Sequence, residues 1–272
     1  MLEEFQSQGF FVAPELLREA AVSRAAQAAD ALFYAPPPKA PAETYQQPGI
    51  VTKSREYRRD VMGRINSPHV LSDDIWRLVT DPLLGETAAR LMDADAVQIF
   101  YCHLLRKPGS ATADTHVGWH QDGQYTPFFQ GRFVTAWIPL VDIDEASSPL
   151  CYIGGSHREG IIEGSGFSSR STMEAMKGRL LGCKPIEWKE YEVTGKAGLV
   201  SFHDSLIVHG SRGNRSNQAR LSITVHMRSS RNKLTEQVSN LNQDTLRSLR
   251  DLSISPVIFG HSQAMDFGFL AD

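Results

Sequence analysis

The segment Val117-Gly-Trp-His-Gln-Asp-Gly-Gln-Tyr125 sets an imidazole, His120, two positions from a carboxylate, Asp122. Alternate residues of an extended backbone face the same way, so this pair can grip one ion from one side. Leu206-Ile-Val-His-Gly-Ser211 offers a third donor of similar hardness, His209. Two imidazoles and one carboxylate on one face of a metal leave adjacent coordination positions open, the arrangement used by non-heme Fe(II) oxygenases. A His-x-Asp pair alone is a weak signal, and it gains weight only from its company.

That company includes Arg220, eleven positions after His209, at the head of Arg220-Leu-Ser-Ile-Thr-Val-His-Met-Arg228. The alternation there puts Leu221, Ile223, Val225 and Met227 on one face and Arg220, Ser222, Thr224, His226 and Arg228 on the other. A guanidinium on the inner face of a barrel is costly unless it meets an anion, and a carboxylate is its natural bidentate partner. The chain has nine histidines, so rival ligands need weighing. His116 borders a loop and reads as substrate-facing or solvated. His157 ends the loop Gly154-Gly-Ser-His157, His203 reads as a brace for the turn before His209, and His226 stands far along its strand.

These residues need a scaffold that changes period along the chain. Apolar spacing predicts a helix over 15–32 and a second over 72–92 that continues through Pro82. Five prolines make 34–49 an irregular connection. Beyond it, short β-rich runs at 97–105, 133–140, 198–202, 206–209 and 221–227 are separated by Gly, Ser, Asn and Pro. The expected fold is mainly β with flanking helices around a double-stranded β-helix, a jelly-roll or cupin-like core. It would occupy 1–272 as one domain, helical to about 95, β from about 96 to 230, with loops and a short helix, part of a lid, after about 231.

Composition narrows the function classes. A charged fraction of 22% and a net charge of -3 give no concentrated basic face for nucleic acid. Lys53, Arg55, Arg58, Arg59 and Arg64 form a local basic cluster suited to an anionic small molecule. No apolar run reaches membrane-spanning length, and Leu2-Glu3-Glu4-Phe5 lacks the regions of a secretory signal. Three widely spaced cysteines, Cys102, Cys151 and Cys183, suit free thiols in a reducing cytoplasm.

Taken together the chain resembles the phytanoyl-CoA dioxygenase family of iron and 2-oxoglutarate dependent oxygenases. The likeness rests on Phe5-Gln-Ser-Gln-Gly-Phe-Phe-Val-Ala-Pro14, Lys107-Pro-Gly109, His120-Gln-Asp122, Trp137, Gly154-Gly-Ser-His157 and His209-Gly-Ser-Arg212 followed by Arg220. It implies Fe(II) at His120, Asp122 and His209, the distal carboxylate of 2-oxoglutarate at Arg220, and O2 as oxidant, with succinate and CO2 released. Ser211, Trp137, His103 and Thr135 match positions that line the co-substrate pocket. The resemblance departs at Asp144-Glu-Ala-Ser-Ser-Pro-Leu-Cys151, a loop that touches no proposed ligand. Aromatic and basic residues at the rim, Tyr45, Arg58, Tyr125, Phe128 and Phe129, are the candidate substrate contacts, for oxidation of a small-molecule metabolite in natural-product or secondary metabolism. Two alternatives stay open: a zinc or manganese isomerase or hydrolase on a similar barrel, and a non-catalytic jelly-roll binding module.

Overall fold

The structure is a computed structural model that describes residues 1–34, 62–109, 115–166, 171–235 and 248–265. Most of the proline-rich connection, and with it Tyr45, Lys53, Arg55, Arg58 and Arg59, lies outside the described residues.

Two antiparallel sheets face each other. The larger contains β1 (Phe10–Ala13), β2 (Gly63–Asn66), β3 (Val97–Lys107), β6 (Val134–Pro139), β9 (Val200–Asp204), β11 (Arg220–Ser229) and β13 (Val257–Phe259). Its order is β1-β9-β6-β11-β3-β13, with β2 also paired to β3. The smaller contains β4 (Val117–His120), β7 (Leu150–Ile153), β8 (Glu190–Val193) and β10 (His209–Ser211), in the order β4-β10-β7-β8. A separate ribbon joins β5 (Phe129–Gln130) to β12 (Lys233–Leu234).

Alternation decides what each face does. Val134, Ala136 and Ile138 of β6, Val200 and Phe202 of β9, and Leu221, Ile223, Val225 and Met227 of β11 share one buried apolar cluster. Against them lie α2 (Glu19–Tyr34), α3 (Asp73–Val79) and α4 (Pro82–Met92), through residues such as Ala25, Ala29, Leu78, Leu84 and Ala88. The alanine-rich face of α2 lets that helix approach the sheet closely. The smaller sheet is covered by α5 (Met173–Cys183), whose Met176 and Leu180 pack with Trp119, Cys151 and Val208. The intervening faces of the two sheets carry the polar side chains of the site together with a second apolar cluster that includes Phe10, Trp137, Leu150, Tyr152 and Val193.

Several expectations need correction. The helix expected over 72–92 is two helices, because Pro82 cannot continue the first and instead starts the second at its N-terminal position. Asp81 caps α4 by accepting the Leu83 N–H at 3.0 Å, and Ser72 caps α3. The helix expected from 15 starts at Glu19. The strand expected over 206–209 begins at His209, since 206–208 form a turn in which Asp204 Oδ1 accepts the Leu206 N–H. In β3 a bulge lets two residues, Phe100 and Tyr101, face one on β11, so Ile99 and Leu104 both reach the same apolar layer. The C-terminal stretch, expected to hold loops and a short helix, also supplies a strand, β13, against the first residues of β3.

The N-terminal motif has a structural use. α1 (Leu2–Gln8) ends at Gly9, at φ 83°, and Phe10 of β1 stacks on Tyr152 with ring centroids 4.7 Å apart. Gly155 N–H donates to Gln8 O, and His157 Nε2 lies 3.0 Å from Gln6 O, so Gly154-Gly-Ser-His157 clamps the N-terminus.

Two glycines test this packing with opposite signs. A Cβ on Gly85 of α4 would sit 2.3 Å from the Ile258 carbonyl of β13, whereas one on Gly178 of α5 meets nothing within 4 Å. Gly85→Ala is expected to destabilise the protein by about 1–3 kcal/mol. Gly178→Ala is expected to stabilise it by roughly 0.5–1 kcal/mol. Urea denaturation midpoints at constant m-value read both.

Candidate metal centre and pocket

His120 and His209 are register partners across β4 and β10, which brings their rings to a centroid distance of 4.0 Å. His120 Nδ1 lies 2.8 Å from Gly118 O and His209 Nδ1 lies 3.1 Å from Ile207 O. Each Nδ1–H thereby donates to a backbone carbonyl two residues back, which fixes the tautomer and leaves Nε2 as the atom that could hold a metal. Asp122 follows β4 in a short 3-10 turn, and its Oδ1 lies 3.7 Å from His120 Nε2 and 3.6 Å from His209 Nε2. One ligand atom from each of the three falls within 4.8 Å of the others, and all three residues are buried. This donor set, two imidazoles and a carboxylate oxygen converging on one point, fits Fe(II).

The second carboxylate oxygen is tied elsewhere. Thr135 Oγ1 donates to Asp122 Oδ2 at 2.8 Å, and His203 Nε2 approaches it at 3.2 Å. The Thr135 hydroxyl has one proton and gives it to Asp122, so His226 Nδ1, 2.9 Å away, donates to that hydroxyl. His203, Thr135 and His226 form a single cross-strand row over β9, β6 and β11. Behind it, Tyr152 Oη lies 3.0 Å from His203 Nδ1 and 2.7 Å from Ser201 Oγ.

The electrostatics follow from burial. Desolvation alone would raise the Asp122 carboxyl, but His209, His226 and His203 hold it well below the usual carboxylate range. Burial, and then His209, push His203 down to about 4. Burial also lowers His120 strongly, with His209 adding to the effect and Asp122 opposing it. The lowered values at His120 and Asp122 favour a neutral imidazole and an ionised carboxylate there, the forms in which these groups bind a metal.

Arg220 is 2% exposed and reaches the same cavity, which has a volume of about 490 Å³. Its Nη1 donates to Ser148 O at 2.8 Å, its Nη2 lies 3.3 Å from Ser222 Oγ, and its Nε has no partner. The guanidinium carbon is 5.6 Å from the centre of the Trp137 ring. Desolvation lowers its pKa to about 10. A buried guanidinium with an orphaned N–H, and no carboxylate in salt-bridge range among the described residues, fits the carboxylate of a ligand.

The loop at 144–151 touches this site after all. Ser148 sits at φ 68°, a left-handed conformation that favours glycine, and in that pose its carbonyl holds Arg220. Its hydroxyl donates to Arg212 O, and buried Lys107, the register partner of Arg220, donates to the hydroxyls of Ser148 and Ser211 at 2.9 and 2.7 Å.

The cavity lining includes His103, Tyr125, Thr135, Trp137, Ser211 and Arg220 from the expected set, together with Arg64. Thr135 serves Asp122 directly, and Ser211 is engaged by Lys107. Phe128 and Phe129 do not line the cavity: they pack in an aromatic cluster with Phe100, Phe133, Leu234 and Leu249, one layer behind His226. Sequence reasoning missed His203 and His226. His203 bonds Asp122 instead of bracing a turn, and the regular pairing of β11 with β6 brings His226 to 3.5 Å from Asp122 Oδ2. The polar face of the alternating strand was the signal for His226; Ser201 and His203, alternating against Val200 and Phe202, were a fainter one. His116 stands apart from the triad, with Nε2 3.1 Å from Ser171 O. No helix of the described residues is long and apolar enough to cross a membrane.

Comparisons with known proteins identify the fold and the family. An ectoine dioxygenase of Bordetella parapertussis is 30% identical over 190 residues, covering 64% of this chain and 59% of that protein. The chain therefore spans about three fifths of that relative's length. The crystal structure of EctD from S. alaskensis with 2-oxoglutarate and 5-hydroxyectoine superposes with a TM-score of 0.63 at 24% identity, over 86% of this chain and 77% of that one. The epimerase SnoN, in complex with Fe3+, alpha ketoglutarate and nogalamycin RO, gives 0.64 at 19% identity over 86% and 84%. These structural likenesses establish the mainly β jelly-roll fold. The family model for Phytanoyl-CoA dioxygenase (PhyH) matches residues 5–222, most of the chain, which therefore belongs to the phytanoyl-CoA dioxygenase family.

Proposed function

We propose that this chain is an Fe(II)- and 2-oxoglutarate-dependent oxygenase that oxidises a small-molecule metabolite in the cytoplasm, working as one domain. The observation that carries the reading is one cavity holding both a converging His-Asp-His set and a buried guanidinium with an orphaned N–H. An isomerase or hydrolase built on the same three ligands has no use for that guanidinium. Ectoine dioxygenase and the ligands of the EctD and SnoN structures support the same cofactor pair.

When bound, the iron and 2-oxoglutarate would supply the oxidising chemistry, consuming O2 and releasing succinate and CO2. The protein's residues do the rest. His120 and His209 present Nε2 and Asp122 presents Oδ1. Because Thr135 and His203 hold Oδ2, Asp122 would offer the metal Oδ1 alone. Arg220, fixed by Ser148 and Trp137, receives the distal carboxylate of 2-oxoglutarate. Burial strengthens that charge-assisted contact by excluding competing water.

Anaerobic titration with Fe(II) and then 2-oxoglutarate tests the reading: a weak visible charge-transfer band is expected, and iron binding without a band would favour the isomerase or hydrolase alternative. His209→Ala is expected to lose iron binding and 2-oxoglutarate turnover together. Arg220→Ala should raise the KM for 2-oxoglutarate about tenfold or more, with Fe(II) affinity in the absence of co-substrate little changed. Thr135→Val should weaken Fe(II) binding by about 10–100-fold, and Thr135→Ser should restore it. Unchanged Fe(II) affinity in the valine variant would show that Thr135 does not position Asp122.

A further inference from the structure

Arg64 extends from the edge strand β2 into the cavity that holds the metal set. The residue as a whole is exposed, as edge-strand residues are, yet desolvation inside the cavity lowers its guanidinium pKa. Its Nε donates to Asn66 Oδ1 at 3.0 Å. Its Nη2 lies 3.1 Å from His103 Nδ1 and 3.0 Å from His103 Nε2. A nitrogen so nearly equidistant from both ring nitrogens cannot lie in the ring plane, where it would collide with Cε1. The guanidinium therefore rests with Nη2 over the face of the imidazole, a contact that leaves its charge without a touching carboxylate, while Asp122 acts on it through space.

The imidazole is prepared for this. His103 Nδ1 lies 3.0 Å from Asn66 Oδ1, which accepts its proton. Asn66 Oδ1 thus holds both the arginine and the histidine by their donors. Burial and the Arg64 charge keep His103 neutral, so the two side chains do not repel one another. No carboxylate lies in salt-bridge range of Arg64 among the described residues, and its Nη1 makes no hydrogen bond there.

Position separates this cation from Arg220. Arg64 pairs with Leu105 in the β2–β3 register, while His103 pairs with Thr224 and lies edge-on to His226, ring centroids 5.3 Å apart. His226 in turn contacts the Asp122 network. Arg64 and His103 thus flank the metal set on the side of β2, beside exposed Met62 and Tyr125, which line the same cavity. Arg220 anchors at the Lys107 end of β11.

We infer that Arg64, held over His103, is an anion subsite that orients the prime substrate, a small metabolite bearing a carboxylate or phosphate group. This rests on the oxygenase reading above and names its substrate class. A planar, pre-positioned guanidinium would hold the anionic group while the carbon to be oxidised faces the metal.

The test uses the full-length protein loaded with Mn(II) in place of Fe(II) and saturated with 2-oxoglutarate. Paramagnetic relaxation of ligand protons is measured for benzoate, phenyl phosphate and neutral benzamide. Wild type is expected to bind at least one anion more tightly than benzamide, and the preferred anion separates the carboxylate from the phosphate source. Arg64→Gln is expected to weaken that anion about tenfold while leaving benzamide and 2-oxoglutarate binding unchanged. Arg64→Lys, which keeps the charge, should retain part of the preference. Equal binding of anion and amide by wild type, an unaltered anion affinity in Arg64→Gln, or an equal loss for all ligands including 2-oxoglutarate would overturn the inference. Failure of 2-oxoglutarate to bind the Mn(II) protein is a distinct result: it removes the oxygenase reading, and this subsite with it.

Discussion

The rest of the site depends on how a buried carboxylate is kept ionised. Asp122 has almost no solvent, and a carboxylate moved into such surroundings without partners would take up a proton instead. The fold prevents this by aligning His203, Thr135 and His226 in one cross-strand row beneath it. Thr135 and His203 satisfy Oδ2, and that division of labour leaves Oδ1 turned toward the two Nε2 atoms. The row exists only because β9, β6 and β11 are hydrogen-bonded neighbours in the correct register. A one-residue slip in any of them would send its member of the row into the apolar layer under α2 and α4.

That dependence explains much of the surrounding packing. Tyr152 of the smaller sheet bridges to His203 of the larger one, and Phe10 stacks on Tyr152. The N-terminal strand is thereby coupled to the orientation of a residue that touches Asp122. The clamp between Gly155 and Gln8 and the contact of His157 with Gln6 hold that strand in place.

How legible the molecule was depended on whether a feature is local. The alternation of β11 and the triad could be read directly, because a period of two and the ligand types His120, Asp122 and His209 are written in short segments. Pro82 is a local signal too: its missing N–H outweighs a continuous apolar stripe and splits the segment into two helices. The β3 bulge was not legible, because two residues opposing one is a property of the pair of strands. Nor were the roles of His203 and His226, which require knowing that β6 lies between their strands. Phe128 and Phe129 looked like rim residues because aromatic side chains near a ligand segment serve packing and binding equally well. Only the cluster with Phe100 and Phe133 decides between them.

The two cations of the cavity show how such a scaffold can hold its chemistry constant while its substrate changes. Arg220 stands on a central strand, buried, with Ser148, Ser222 and Trp137 around it, and any change there disturbs several packed elements at once. Arg64 stands on β2, which among the described residues pairs only with β3 and is anchored to the site through Asn66 and His103. An edge strand loses few contacts when its side chains are replaced, so a residue placed there can change with little cost to the fold. The parts that must keep sub-ångström geometry, the triad and its supporting row, sit where register is enforced from both sides. The subsite inferred to select a molecule sits on a strand whose register, among the described residues, is set by one neighbour.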